Sequence, residues 1–392
     1  MAAPVRVDDD ERRARIGVRH ALAQRVGDPV EATRAVGVLH ATEPATVYLS
    51  LHARVDGLAL DDVDRVLYRD RSLVKQLAMR RTLFCFPRDL LPAAWGSASQ
   101  RVLAAESARI AKDVELAGQP DGVAWLGAVR GRILAELDTA PDGLTAVEVR
   151  ERVPEIDLLG VGRGRVMTNL GLSAEVMRGE NTQHWRVFRP RWTLAHRWLG
   201  EQPAALTERE GYRLLVHRWL ERFGPGTEED IVWWLGATKG IVRTALADLG
   251  AVAVTTAEGP GWLLPDDPLL DGARTDVGPW AALLPVLDPS IMGWRHRAFH
   301  LGSHGLALFD RNGNAGTTAW WNGRVVGCWV QDDAGVVEVR PLERLPQDAA
   351  TALRAEAARL TAWLDGVRVG TVYPSPAMRA DPADLPYPVL RA

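Results

Sequence analysis

A mainly α fold carrying β-wings, an α+β protein, is predicted by three features of this 392-residue chain. The order helix, helix, turn, helix, hairpin occurs twice in succession across the middle of the sequence. A degenerate version of the same order precedes the two copies, and a hairpin followed by an Ala-rich helix closes the chain. This order is that of a winged helix-turn-helix unit, and two adjacent copies are stronger evidence than either alone.

In the first copy an amphipathic run, Val129 to Leu137, leads through a turn at Pro141-Asp142-Gly143 to Leu144-Thr145, the expected cap of a helix over Ala146 to Arg152. A connection from Leu159 to Gly162 precedes a third helix from Arg163 to about Leu172. Val176-Met177 and Trp185 to Phe188 are the expected wing strands, with turn residues at Gly179 to Asn181.

In the second copy the helices are Glu208 to Arg222, Glu228 to Leu235 and Lys239 to Leu249. Gly224-Pro225-Gly226 stops the first of them. Thr227 caps the second, with Asp230 giving a weaker variant of the capping box. Gly250 reads as a C-cap, and Ala251 to Thr255 with Gly261 to Leu264 form the wing.

The N-terminal region carries helical runs over Arg12 to Arg25, Val30 to Leu39, Pro44 to Val55 and Leu60 to Tyr68. A strand at Leu83 to Phe86 and a long helix from Ser97 to Leu116 follow. Toward the C-terminus, Thr317 to Trp321 and Arg324 to Trp329 flank Asn322-Gly323, the strongest short-range hairpin signal. A strand at Val336 to Val339 and a helix over Ala349 to Leu364 complete an appended α+β element. The expected division is therefore 1–125, an N-terminal winged-helix-like unit; 126–200 and 201–270, two winged helices; and 271–392, the α+β element with its hairpin.

With 47% hydrophobic and 25% charged residues the composition is that of a globular protein able to bury a sizeable core. A formal net charge of -3 supplies no global basic field, so a polyanion has to meet a local patch. No run approaches the roughly 20 apolar residues that span a bilayer, and Met1 to Gly17 lacks an apolar signal core. A cytoplasmic protein with no membrane partner is expected. Cys85 and Cys328 lie far apart in apolar runs and read as buried free thiols.

The local patch is found between Leu158 and Gly200, where seven arginines stand against Glu175 and Glu180, a formal +5. From Asn181 to Gly200 there is no acid, and arginines alternate with Trp185, Phe188, Trp192 and Trp198. Arginine supplies the charge that releases counterions from a phosphodiester backbone. Arg186, Arg189 and Arg191 are the candidate wing contacts, and Arg163 and Arg165 stand at the start of a third helix, the end that faces the groove in helix-turn-helix docking. The alternative is a solvated face over buried tryptophans.

His296, His300 and His304 share a spacing of four, but Gly302, Ser303 and Gly305 interrupt the helix and no acid or cysteine completes a set. No metal is expected. No phosphate loop, dinucleotide fingerprint or Gly-x-Ser-x-Gly motif is present, so no cofactor, and in particular no nucleotide cofactor, is expected.

The segment Val38-Leu39-His40-Ala41-Thr42-Glu43-Pro44, with Tyr48-Leu49-Ser50 and Met79-Arg80-Arg81-Thr82-Leu83, resembles the AlkZ/YcaQ-like winged-helix DNA glycosylases. The resemblance continues at Leu283 to Asp288 and Gly323 to Trp329 and covers almost the whole chain. It implies tandem winged helices in a concave body, a C-terminal hairpin near DNA with Arg324 as candidate contact, and excision of alkylated or crosslinked bases. The expected partner is double-stranded DNA, bound by a monomer at the nucleoid.

Where the family's known enzymes carry Gln-apolar-Gln or Gln-apolar-Asp, this chain has His40-Ala41-Thr42. Cleaving an N-glycosidic bond passes through a sugar cation, so the site needs a positioned water and nearby negative or dipolar groups. On this reading His40 takes a proton from the water, Thr42 orients it, and Glu43 offsets the cation. The alternative is that Thr42 or Glu43 merely caps the helix at Pro44, that His40 is a core imidazole, and that the protein is a non-catalytic DNA-binding regulator.

Overall fold

The computed structural model describes residues 4–201 and 203–392, which pack as two compact units. One comprises Asp64–Leu215 with Leu235–Ala237, and the other Met1–Val63, Val216–Trp234 and Thr238–Ala392.

In the Asp64–Leu215 unit, the helices Ala98–Leu116 and Gly122–Asp138 pack together, and Ala146–Arg152 and Gly164–Leu172 close over them. Their apolar positions meet in one core that contains Ile110, Val114, Ile133, Val149, Val166 and Trp192. Thr145 makes a full capping box with Glu148 at the start of its helix, satisfying two orphan donors at once. The wing strands are Val176–Asn181 and Pro190–Leu194, antiparallel, with Met177 opposite Thr193.

The second wing strand therefore starts later than the sequence suggests, and Trp185 to Phe188 lie in a loop. The reason is Asn181. Its side-chain amide donates to the carbonyls of Gln183, His184 and Val187, and its oxygen accepts from Arg189 N–H at 2.7 Å. These bonds satisfy the loop backbone locally, in competition with a ladder. A hairpin the sequence did not suggest joins Leu73–Leu77 to Leu83–Pro87, with Lys75 opposite Cys85.

The other unit opens on the helix Asp9–Arg19, shorter than its sequence run because the chain reverses at Ala21, where φ is 53°. The helices Pro29–Ala35 and Pro44–His52 follow. Thr227 and Asp230 exchange bonds at 2.9 and 3.1 Å, a complete capping box, before the helix Glu228–Leu235. The helix Lys239–Asp248 leads to a wing of Val252–Thr256 paired with Gly259–Leu263.

A five-stranded antiparallel sheet completes this unit, in the order Leu390–Arg391, Val337–Pro341, Arg324–Gln331, Thr318–Trp321, Ala281–Leu284. The Gln347–Leu364 helix packs on it. Asn322 and Gly323 both have positive φ, 47° and 77°, the twist-matched two-residue turn. Cys85 and Cys328 are buried free thiols.

Candidate active site

The His40–Glu43 turn is set by its neighbours. Gly37, with φ 72°, ends the approach from the Pro29–Ala35 helix, and Leu39–His40 forms a short strand. Pro44 starts the next helix at a position whose N–H would have no helical acceptor. Thr42 is exposed, whereas His40 is only 7% exposed.

His40 Nδ1 accepts the Thr42 backbone N–H at 3.4 Å, a long and weak bond. A neutral imidazole that accepts at Nδ1 carries its proton on Nε2.

Glu43 occupies the N-cap position of the Pro44–His52 helix, yet the helix has no side-chain cap bond. Its carboxylate instead accepts at Oε1 from Thr371 Oγ1 at 2.9 Å and from Val372 N–H at 2.6 Å. Burial pushes the Glu43 carboxyl above the usual carboxylate range, against the opposing effect of Val372 and Thr371. Beside it a cavity of about 160 Å³ is lined by Glu43, Thr46, Leu49, Val286, Trp329 and Gln331, among others, but by neither His40 nor Thr42. Thr371, Val372 and Gln331 carried no sequence signal.

Just past the end of the Pro44–His52 helix, which follows the motif, Arg54 pairs with Asp288 at 2.7 Å, both side chains fully buried. Burial disfavours the Asp288 carboxylate, but Arg54, the Ser290 N–H and the Ser50 hydroxyl hold its pKa below the ordinary value. Arg54 also reaches Ser290 Oγ, which bonds His20 Nδ1 at 2.8 Å. Asp288, the last residue of the Leu283 to Asp288 segment that carries part of the family resemblance, thus belongs to the scaffold behind the site.

The candidate arginines fall into different environments. Arg186 and Arg189 lie exposed in the loop after Asn181, and Arg163 is exposed just before the Gly164–Leu172 helix. Arg165 is held by Asp113 and stands 3.6 Å from Glu106. Arg191 donates to the Gly143 carbonyl at 2.8 Å and lies 3.4 Å from Glu148. Arg324 follows the Asn322-Gly323 turn, half exposed, and pairs with Glu343 at 3.2 Å. His296 pairs with Glu229 and His304 with Glu343, while His300 stacks on Trp320. Among the described residues no three His, Cys, Asp or Glu side chains are grouped to hold a metal.

Helices in helix-turn-helix order followed by β-wings are an arrangement found in DNA-binding proteins. Over residues 33–363 the chain matches the family described as DNA glycosylase AlkZ-like, and it belongs to that family. Its enzyme class is accordingly that of a DNA glycosylase, a hydrolase of N-glycosyl bonds. The DNA glycosylase AlkZ of Streptomyces sahachiroi has a similar structure, with a TM-score of 0.73 at 20% sequence identity, over 91% of this chain and 98% of that one. No curated protein sequence matches the chain significantly. No helix among the described residues is long and apolar enough to cross a membrane.

Proposed function

We propose that this protein hydrolyses the N-glycosidic bond of N-alkylated purines in double-stranded DNA, with His40 and Thr42 handling the attacking water. The observation that carries the reading is the family match across 33–363, which includes the His40–Glu43 turn. Water oxygen bonds to the anomeric carbon as the carbon–nitrogen bond breaks. The bonding pair leaves with the base, which is already cationic and departs neutral. His40 receives the water's proton at Nδ1, exchanging its weak bond to the Thr42 N–H for it. The exposed Thr42 hydroxyl orients the water, and the Glu43 carboxylate opposes positive charge as it passes from base to sugar.

Arg163, Arg186 and Arg189 are exposed candidates in the basic segment and would meet phosphates. Arg165, Arg191 and Arg324 would contact DNA by exchanging carboxylate partners for phosphate. A monomer acting at the nucleoid in the cytoplasm, with no nucleotide cofactor, suits this substrate.

Schiff-base lyase chemistry needs an amine nucleophile, and the three lysines are Lys75, Lys112 and Lys239. Lys75 is bonded to Tyr68 Oη at 3.1 Å. Incubation with a duplex bearing N-methylated purines should release free base and leave abasic strands intact. Strand cleavage at the abasic site, or a covalent protein–DNA adduct formed on borohydride reduction, would contradict the hydrolytic assignment.

A further inference from the structure

We propose that the cavity beside Glu43 is a recognition pocket for the ring edge of an amino-bearing heterocycle. The glycosylase reading makes an alkylated nucleobase the natural occupant, and the inference rests on that reading for the ligand's identity.

Size limits the occupant first. At about 160 Å³ the cavity is smaller than a drug-sized site. It is close to the apolar cavity of about 150 Å³ that accepts benzene in another protein. One six-membered ring fits, whereas a whole nucleotide does not. Leu49, Pro285, Val286, Trp329, Val330 and Met378 give it a largely apolar wall.

The polar side chains of the wall limit it further, because most are already engaged. Thr46 donates to the Val286 carbonyl at 3.3 Å, and Thr317 donates to the Trp329 carbonyl. The Gln331 amide donates to the Gly335 and Val367 carbonyls, and its oxygen accepts from Val369 N–H. Trp329 Nε1 donates to the Leu284 carbonyl at 2.8 Å, and Thr371 donates to Glu43 Oε1. Arg368 stands 3.7 Å from Asp333.

What remains is Glu43 Oε2, which accepts no hydrogen bond from the described residues, Oε1 having taken both donors. Glu43 is half-buried and lines the cavity, so a ligand N–H entering there meets a carboxylate oxygen with acceptor capacity to spare. The occupant is therefore flat, ring-sized and mostly apolar, and it carries an N–H or a positive charge on the edge that faces Glu43. An exocyclic amine on a base that alkylation has made cationic meets all these conditions.

The test is calorimetric titration of the full chain with free 3-methyladenine, alongside its 6-dimethylamino analogue, which lacks the amine N–H. The wild type should bind 3-methyladenine saturably and the analogue about tenfold or more weakly. Glu43→Gln should weaken 3-methyladenine binding by a similar factor, since Thr371 and Val372 keep the amide oxygen and turn its NH₂ toward the ligand's own donor. Ala45→Leu, which places bulk in the cavity, should abolish binding.

Thermal melting of each variant separates misfolding from pocket effects, and the analogue comparison needs no variant at all. Absence of saturable binding, or equal binding of ligand and analogue, overturns the pocket. Base release from a methylated duplex is assayed in parallel. Release without free-base binding overturns the pocket alone. Binding without release sustains the pocket and overturns the proposed hydrolysis of N-alkylated purines.

Discussion

Asp288 lies fully buried against Arg54, with Ser50 and Ser290 filling its remaining acceptor sites. A buried pair contributes little net stability when intact, but removing one partner leaves an unanswered charge that costs about 3–5 kcal/mol. Asp288→Asn should therefore destabilise the protein by an amount in that range in denaturant unfolding, and a drop below about 1 kcal/mol would contradict the role given to the pair.

Histidines in the same unit set the acid response. Burial, with the Arg54 charge, pushes His20 down to about 3, and burial with Arg359 and Arg25 pushes His52 down to about 2. Burial, with Arg297 and other cations, also holds His300 well below the ordinary value. Their folded pKa values lie below the unfolded one, so below about pH 6.5 the unfolded chain binds more protons. The neutral-ring contribution is complete above about pH 6.5 and is lost progressively as pH falls toward about 3 for His20. Each such ring adds up to about 1.4 kcal/mol per pH unit to the slope. Unfolding free energy measured from pH 7 to 4 should fall steeply, and His20→Gln should flatten the fall whatever it costs at pH 7. An unchanged slope in that variant would show that His20 titrates normally.

At the scale of elements, the wing loop and the C-terminal hairpin make the clearest predictions. Asn181 pins the loop that presents Arg186 and Arg189, so these charges are offered on a backbone already held in place. Arg186→Glu with Arg189→Glu should weaken duplex binding to the same degree for unrelated sequences. The salt dependence should flatten by about 0.9 in the log–log slope for each phosphate that is no longer neutralised. Unchanged affinity and slope would move the DNA elsewhere. In the hairpin, Gly323 has φ 77°, and a Cβ there would stand 2.5 Å from Arg13 Cβ and 2.7 Å from the Arg13 carbonyl oxygen. Gly323→Ala should lower stability by more than about 1 kcal/mol, from backbone strain and overpacking together. A neutral effect in thermal melting would contradict that packing.

These elements also show what the sequence makes legible. Helices with local stop and start chemistry, Thr145 with Glu148 and Thr227 with Asp230, are readable because their determinants lie within four residues. The same holds for the Asn322-Gly323 hairpin. The Leu73–Leu77 strand is not readable, because all five positions are buried and Lys75 and Gln76 break the apolar pattern. Trp185 to Phe188 suggested a strand by composition, but one asparagine side chain outcompetes the ladder.

At the scale of the whole molecule, the family was legible in short motifs spread from Val38 to Trp329, and the match over 33–363 bears it out. The surroundings of the candidate site were not, because they come from distant sequence. Thr371 reaches Glu43 across 328 positions and Asp288 reaches Arg54 across 234, distances over which no local pattern operates.

Water-dependent base excision in this family member is proposed to run on a His-Ala-Thr turn. It is tested most directly by single-turnover release of 3-methyladenine or 7-methylguanine from a methylated duplex, comparing wild type with His40→Ala and Thr42→Ala. Wild type should release free base, His40→Ala should be slower by about 10²-fold or more, and Thr42→Ala should be slowed less, with folding and duplex affinity unchanged. A wild type that binds methylated duplex and releases no base, or a folded His40→Ala that releases base at the wild-type rate, would contradict the account.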